Sequence, residues 1–269
     1  MAYWPDLWDE NRIQEHYHDY YSAESAAYDP ITEKRYQSIL VRMERIRPAG
    51  RILDVGCGAG HFLAVAESRG WKGTGVEVSR SALDLLARTR LERGSRFQVI
   101  QTDLEKAGLP ERSFDAVTLF EVLEHLDDPL SLFRKSSALL NEGGLLYFTT
   151  PNGDSLSRRL LKGRWRVIAG EHRCLFNPAS IRWALESAGL SPVFLRTKNI
   201  DLPELLSKLR GRRAGLHPTH RDSNSQHLRR VTERTPWLKG LKASLNGFLG
   251  LAGCGDTLEG LAVKREGSA

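Results

Sequence analysis

RILDVGCGAG, Arg51 to Gly60, is the stretch whose reading decides the fold. An apolar run carries an acid, Asp54, and then Gly56, Gly58 and Gly60 alternate with the small residues Cys57 and Ala59 ahead of the helix-like HFLAVAES. The pattern predicts a strand, a tight turn and a helix start. Glycines at this spacing let the backbone take φ > 0 and let a ligand lie against bare main chain, while the beginning of the helix supplies unpaired N–H groups. A nucleotide-like guest is the natural occupant.

The acids narrow the guest. In a dinucleotide fold the glycines read G-x-G-x-x-G and the pyrophosphate rests on the turn. Here they read G-x-G-x-G, and Asp54 stands two residues ahead of the first. A carboxylate there would repel a pyrophosphate and suits a ligand carrying positive charge and hydroxyls, such as S-adenosylmethionine with its ammonium and sulfonium. Glu77 ends the next strand, GTGVEV, near the ~20-residue distance at which an acid meets ribose hydroxyls. Asp103 follows the strand RFQVIQ, placed for the adenine end.

Outward from the turn the alternation is regular. After strand RILDV come a helix from His61 to Ser68, strand KGTGVEV, and a helix from Ser79 to Leu91. Leu83, Leu86 and Ala87 give that helix a core stripe, and Ser81 with Asp84 resembles a capping box. Strands RFQVIQ and FDAVTLF follow, then a helix opened by Asp128-Pro129 and ended before NEGG, strand LLYFTT, a helix from Asn177-Pro178 to Gly189, and strand VFLRTKN. Strands alternating with helices predict an α/β fold, a doubly wound, mostly parallel sheet. Two excursions, Pro151 to Phe176 and Asp201 to Asp256, leave from the carboxyl edge, where ligands bind in such sheets.

DVGCGAG, GVEVS, QTDLE and FEVLEHLDDP, in this order and spacing, resemble the motif series of class I S-adenosylmethionine-dependent methyltransferases. More narrowly they resemble the branch that holds the ubiquinone-pathway O-methyltransferases and related small-molecule and sugar methyltransferases. The match covers about Arg51 to Arg196 and a short terminal strand. It implies that TLEGLAVKR inserts antiparallel to complete a seven-stranded Rossmann-like sheet. It also implies S-adenosylmethionine as cofactor and S-adenosylhomocysteine as product. The cofactor contacts it implies are Asp54, Gly56, Cys57, Gly58 and Gly60 in the turn, Glu77 and Val78 after the second strand, Asp103 and Leu104 after the third, and Phe120 and Glu121 after the fourth. In the relatives an Arg from the helix ahead of the first strand meets the methionine carboxylate, and Arg35 stands at that place.

Composition sets the limits. The 269 residues, 41% hydrophobic, suffice for one large domain with a real core. No run reaches the ~18 apolar residues of a membrane span, and MAYWPDLWDENRIQEH lacks the charged and apolar regions of a signal peptide, so a cytoplasmic protein is expected. Cys57, Cys174 and Cys254 are too few and scattered for a disulfide framework or a zinc site. The formal charge of +6 is regional. Leu202 to Lys242 holds ten Lys or Arg against three acids, and Arg158, Arg159, Lys162, Arg164, Arg166 and Arg173 have only Glu171 beside them. The chain divides into an N-terminal helical, aromatic segment (1–50) with six of the seven tyrosines, read equally as a lid or as an aromatic helix packed on the domain's side, a cofactor-binding core (51–200), a basic insertion (201–256) that faces substrate or membrane, and a final strand and tail (257–269).

Methyl transfer from a sulfonium is an in-line displacement on an already activated donor, so the protein's main task is alignment and exclusion of water. A hydroxyl nucleophile needs a base. His172, in GEHRCLFNP, resembles the family's Glu-His-x-x-x-Phe segment and is the leading candidate. His125, with Glu121 and Glu124 in E-V-L-E-H, is the rival. In some ubiquinone-pathway relatives this acid-and-His group serves a divalent metal; here it is read as orienting the donor and bracing the helix, and no metal ligand is assigned. Leu156, Leu160, Leu161 and Trp165 mixed with cations, and Leu238, Leu241, Leu245 and Phe248 on one helical face, read as basic amphipathic segments suited to an anionic membrane surface at the inner face of a membrane, or equally as Arg clusters that hold phosphate groups of a lipid-linked or nucleotide-linked acceptor, or as a solvated face. The expected acceptor is small or lipid-linked. The alternatives are an RNA methyltransferase, against which the lack of an RNA-recognition motif argues, and a non-catalytic, cofactor-binding regulatory protein.

Overall fold

The computed structural model describes residues 2–3, 12, 30–168, 170–200, 205, 247, 250, 252–265 and 267. Most of the aromatic lid and of the basic insertion, including Leu238, Leu241, Leu245 and Phe248, lies outside the described residues.

In chain order the strands are β1 (Ala2–Tyr3), β2 (Arg51–Val55), β3 (Lys72–Glu77), β4 (Gln98–Gln101), β5 (Phe114–Phe120), β6 (Leu140–Pro151), β7 (Cys174–Leu175), β8 (Leu190–Lys198) and β9 (Thr257–Lys264). The helices are α1 (Pro30–Glu44), α2 (His61–Ser68), α3 (Arg80–Arg93), α4 (Pro129–Leu139), α5 (Leu156–Leu161) and α6 (Pro178–Ser187). Seven strands form one sheet in the order β4-β3-β2-β5-β6-β9-β8. β2, β3, β4, β5 and β6 are parallel neighbours, and β9 runs antiparallel to both β6 and β8. The expected doubly wound sheet and the antiparallel insertion of the last strand are both present.

Two apolar layers flank the sheet, as buried parallel strands require. One packs Leu53, Val117, Leu119, Leu146 and Phe148 with Phe133 of α4 and Ile181 and Leu185 of α6. The other packs Ile52, Tyr147 and Leu261 with Phe62 and Leu63 of α2 and Ile39, Leu40 and Met43 of α1. Helix α1, within residues 1–50, is therefore a layer of the core. Leu40 is fully buried, and Leu40→Ala would cost ~2–5 kcal/mol.

Local signals held with two corrections. Asp128 caps α4 by accepting from Ser131 N, and Asn177 caps α6 in a capping box with Ser180. The cap of α3, however, is Ser79, whose hydroxyl accepts from Ala82 N, so the Ser81 and Asp84 box does not form. The reason is that the helix already starts at Arg80, which leaves Ser81 inside the first turn. Of the expected stripe, Leu86 is buried and Leu83 packs partly buried against the same layer, Ala82 joins them at i−4 from Leu86, and Ala87 is exposed.

The first excursion is tied down at both ends. β1 pairs with β7, Ala2 opposite Leu175 and Tyr3 opposite Cys174, which brings the N-terminal residues to this edge. Asn152, fully buried, donates to the carbonyls of Gly253 and Gly255 and so joins the start of one excursion to the end of the other. Leu161, Trp165 and Leu175 pack with Leu205. The amphipathic reading of 156–168 is corrected here: Leu161 and Trp165 turn into the protein, while Leu160 and the cations Arg159, Lys162, Arg164 and Arg166 are exposed.

Candidate active site

The turn after β2 is built as its glycines demand. Gly56, Gly58 and Gly60 have φ of +68°, +51° and +74°, values costly for residues with a Cβ. Space is equally short: a Cβ on Gly56 would lie 2.9 Å from Val122 Cγ2, and one on Gly60 2.7 Å from Phe97 Cζ. Gly56 N and Cys57 N donate to Val76 O at 2.8 and 3.2 Å, which fastens the turn to the end of β3. Cys57 turns its thiol into the core, where a Cβ on Gly75 would come within 2.6 Å of Sγ. Burial and the nearby acids push that thiol well up, so its side chain takes no part in chemistry and only its backbone serves the turn.

Two acids lie under this turn. Asp54 is 2% exposed, and its Oδ1 accepts from Thr118 Oγ1 at 2.7 Å across the β2/β5 register. Burial, opposed in part by that hydrogen bond and assisted by the charge of Glu77, raises the Asp54 carboxyl to about 7. Glu77 accepts from Gly58 N through Oε2 and from Ser79 N through Oε1, both at 2.8 Å. A carboxylate oxygen has a second lone pair to offer, so Glu77 can still accept from ligand hydroxyls. Among the described residues no Lys or Arg is paired with Asp54 or Glu77, whose hydrogen-bond partners are Thr118, Gly58 N and Ser79 N. An acid pair beneath a turn whose N–H groups at Gly56, Cys57, Gly58 and Gly60 are already taken fits a cationic, hydroxyl-bearing ligand and disfavours a pyrophosphate.

The remaining predicted contacts divide. Val78 is 54% exposed beside Glu77 and offers an apolar surface. Asp103 binds Lys106 through its backbone N at 2.9 Å and Nζ at 2.7 Å, and the Lys106 hydrogen bonds hold its carboxyl below the usual range. Leu104 is buried in the core, so only its backbone can face a ligand. Phe120 joins Phe62, Tyr36 and Tyr147 in a wall of rings, at centroid distances of 4.8, 5.4 and 5.5 Å. Arg35 is exposed on α1, and its charge is felt at Tyr147 and Lys198.

Past β5 the chain turns sharply. Glu121 has φ +54° without being glycine, and its N–H donates to Thr149 O at 3.0 Å. That strained step starts the short turn that carries Leu123, Glu124 and His125. Glu124 is 1% exposed and accepts from Thr150 Oγ1 at 2.9 Å. Burial first, then the Glu121 charge, raises its carboxyl well above the usual range.

His125 and His172, rivals in the sequence, are neighbours in space, with ring centroids 4.8 Å apart. Nδ1 of His125 lies 3.2 Å from Glu171 O, and Nδ1 of His172 lies 2.6 Å from Val167 O. A carbonyl can only accept, so each neutral ring carries its proton on Nδ1 and its lone pair on Nε2. Arg173 N donates to Glu124 O at 2.7 Å, which clamps the excursion onto the turn after β5. Glu124, His125 and His172 offer ligand atoms within 4.8 Å of one another. The sequence grouped Glu121 and Glu124 with His125; in the structure the clustered ligand atoms are those of Glu124, His125 and His172, and the exposed Glu121 is not among them.

Thr118, Thr149, Thr150 and Glu259 were not singled out in the sequence. Two consecutive threonines at a strand's carboxyl end, in LLYFTT, and an acid inside an apolar strand, in TLEGLAVKR, were the available signals. Among the described residues no helix is long and apolar enough to cross a membrane.

A family model described as a methyltransferase domain matches residues 28–194. The chain is 36% identical over 126 residues to a ubiquinone biosynthesis O-methyltransferase of Vibrio vulnificus, a stretch that makes up 46% of this chain and 51% of that protein. It thus spans about half the length of the curated relatives it matches. Among solved structures it resembles the cyclase SpnF, with a TM-score of 0.61, 19% identity, and coverage of 99% of this chain and 100% of that one. It also resembles phosphoethanolamine N-methyltransferase 2 of Haemonchus contortus, solved with S-adenosyl-L-methionine, at a TM-score of 0.58 and 21% identity over 87% of this chain and 53% of that one. These last two likenesses speak to the fold alone.

Proposed function

The chain belongs to the methyltransferase domain family, and from that membership we propose that it is an S-adenosylmethionine-dependent methyltransferase acting on a hydroxyl of a small or lipid-linked acceptor. The observation that carries the reading is the Asp54 and Glu77 pair under the glycine turn, which among the described residues has no Lys or Arg paired with it. When bound, S-adenosylmethionine supplies an electrophilic methyl group and leaves as S-adenosylhomocysteine. The chain's own residues do the rest. Asp54 would provide negative charge under the turn, Glu77 would accept from ribose hydroxyls, and Val78, Asp103 and Arg35 would complete the hold on the cofactor. Nε2 of His172, or of His125 beside it, takes the acceptor's hydroxyl proton, and the backbone carbonyls behind each ring hold that nitrogen's lone pair in place. Ala2 and Tyr3, paired with β7, and the first excursion would cover the edge and exclude water.

Calorimetry tests this. S-adenosylmethionine should bind the wild type, Gly58→Arg and Glu77→Ala should weaken binding at least tenfold, and NAD should not bind. Unchanged affinity in both variants, or tight binding of NAD, would overturn the assignment.

One observation favours a second reading of the catalytic step. The ligand atoms of Glu124, His125 and His172 lie close enough for a divalent cation, and the Nδ1 hydrogen bonds of both rings leave Nε2 as the ligating nitrogen, the usual support for a metal-bound imidazole. A bound cation would polarise the acceptor oxygen and make a protein base unnecessary. Loss of turnover on chelation, restored by magnesium or zinc, would select this reading over the histidine base. The exposed cations Arg159, Lys162, Arg164 and Arg166 suit peripheral contact with an anionic membrane that presents a lipid-linked acceptor.

A further inference from the structure

Glu259 sits on β9 with three cations on it. Arg196 donates through Nε at 2.9 Å, with Nη2 at 2.8 Å, Lys198 Nζ lies at 2.9 Å, and Arg42 Nη1 at 3.6 Å. Tyr147 OH donates to the same carboxylate. The residues come from α1, β6, β8 and β9, and register puts them together: Arg196 and Thr149 are both directly opposite Glu259, and Lys198 is opposite Thr257 at the carboxyl edge. Among the described residues Glu259 is the one carboxylate touching any of the three cations. A fourth charge, Arg35, is near enough to act on Lys198.

Charge and hydrogen bonding are both incomplete here. Burial works against the Glu259 charge, yet Lys198 and Arg196 outweigh it and hold the carboxyl down to about 2. Lys198 should gain from that contact, but burial, then Arg35 and Arg196, leave its ammonium below the usual range. One carboxylate therefore does not neutralise the group. Two buried polar atoms beside it also lack hydrogen bonds: Arg42 Nη1, and Oγ1 of the fully buried Thr149, which shares the face of Glu259. The guanidinium carbons of Arg42 and Arg196 lie 5.2 and 5.1 Å from the centroid of the Phe194 ring, a shared contact that holds both forks in place before any ligand arrives. The side chains of Arg196 and Arg42 are 46% and 32% exposed, which leaves the group reachable.

We propose that Arg42, Arg196, Lys198 and Thr149 form an oxyanion subsite that holds a carboxylate or phosphate group of the methyl acceptor. Its place fits that role. Tyr147, which bonds Glu259, continues through Phe120 and Phe62 to the helix that follows the glycine turn, so an acceptor anchored at the subsite can reach across the ends of β5 and β6 toward the donor. The anion site rests on the methyltransferase reading only for the identity of its ligand as the acceptor.

Calorimetry on the full chain without cofactor tests the site, with inorganic phosphate and benzoate as separate probes. At least one probe should bind with a Kd of ~1 mM or below, and the stronger of the two names the group. Arg196→Gln and Lys198→Gln should each weaken it tenfold or more and leave S-adenosylmethionine affinity within twofold. Glu259→Gln should tighten it, because the competing carboxylate is gone; a merely structural ion-pair group would show only lower stability. Absence of binding by both probes, or equal affinity in wild type, Arg196→Gln and Lys198→Gln, overturns the proposal. Anion binding with this pattern in a chain that fails to bind S-adenosylmethionine would keep the subsite and sink the methyltransferase reading instead.

Discussion

The rings of His125 and His172 meet at 4.8 Å between centroids and 66° between planes, each steered by a backbone carbonyl. The two residues arrive from different directions, one after β5 and the other from the first excursion, and the Arg173 to Glu124 backbone hydrogen bond holds them together. If either ring is the base proposed above, their closeness makes them act as one unit, with consequences for mutagenesis.

His172→Ala should lower kcat by ~10² or more while cofactor affinity stays nearly intact. Because the partner ring is adjacent, the His125→Ala and His172→Ala effects should be far from additive in the double variant. Single-turnover kinetics on a hydroxylated acceptor, beside cofactor titrations, checks both. Additive losses would mean that the rings act separately.

Asp54 sets a pH dependence. Its carboxyl lies near 7 in the folded chain against an ordinary value of 3.8, so between those values the folded state holds a proton that the unfolded state has lost. Its contribution therefore makes stability fall as pH rises through that window. A cationic ligand prefers the ionised form, so donor affinity should drop up to ~10-fold per pH unit below about 7 and level off above it. Titrations at a series of pH values should show this slope in the wild type and its loss in Asp54→Asn, which should also bind more weakly and melt higher above neutrality.

Glu121 holds a left-handed φ of +54° at a strain of ~1–3 kcal/mol, and its charge disfavours ionisation of Glu124. Glu121→Gly removes both, and the melting temperature should rise by ~2–4 °C. Turnover should fall, because the side chain at the end of β5 is lost. A variant that gained stability and kept full activity would assign Glu121 no place in the site.

Membrane contact is testable through the cations that are exposed. Replacing Arg159, Lys162, Arg164 and Arg166 with Gln should abolish sedimentation with acidic vesicles and leave cofactor affinity alone. Salt should release the wild type as the screening length shortens below ~8–10 Å. Equal sedimentation with neutral vesicles would point to apolar rather than electrostatic contact.

The parts that were legible in the sequence are those with local causes. The glycine turn, the acid at the end of each strand, and the caps at Asp128 and Asn177 all follow from residues within a few positions. Ser81 misled because two serines competed for one cap and the helix start decided between them. Trp165 and Leu161 misled because a short apolar-and-basic stretch reads the same whether its apolar side meets lipid or a second loop, and here Leu205 supplies the partner. The meeting of His125 with His172, and of Glu259 with Arg42, Arg196 and Lys198, depends on strand order and register across the sheet. No local pattern carries that.

The position of β9 between β6 and β8 has a further consequence, in the timing of synthesis. Both flanking strands leave the ribosome before it, so a growing chain carries a gap one strand in from the edge of its sheet until residue 264 is clear of the exit tunnel. Through that interval β6 and β8 present unpaired edges and the same strand direction, an invitation to pair with each other or with another nascent chain. Chains stalled just before and just after the release of residues 257–264 should differ sharply in protease resistance; equal resistance would mean that the sheet closes without its last-made strand.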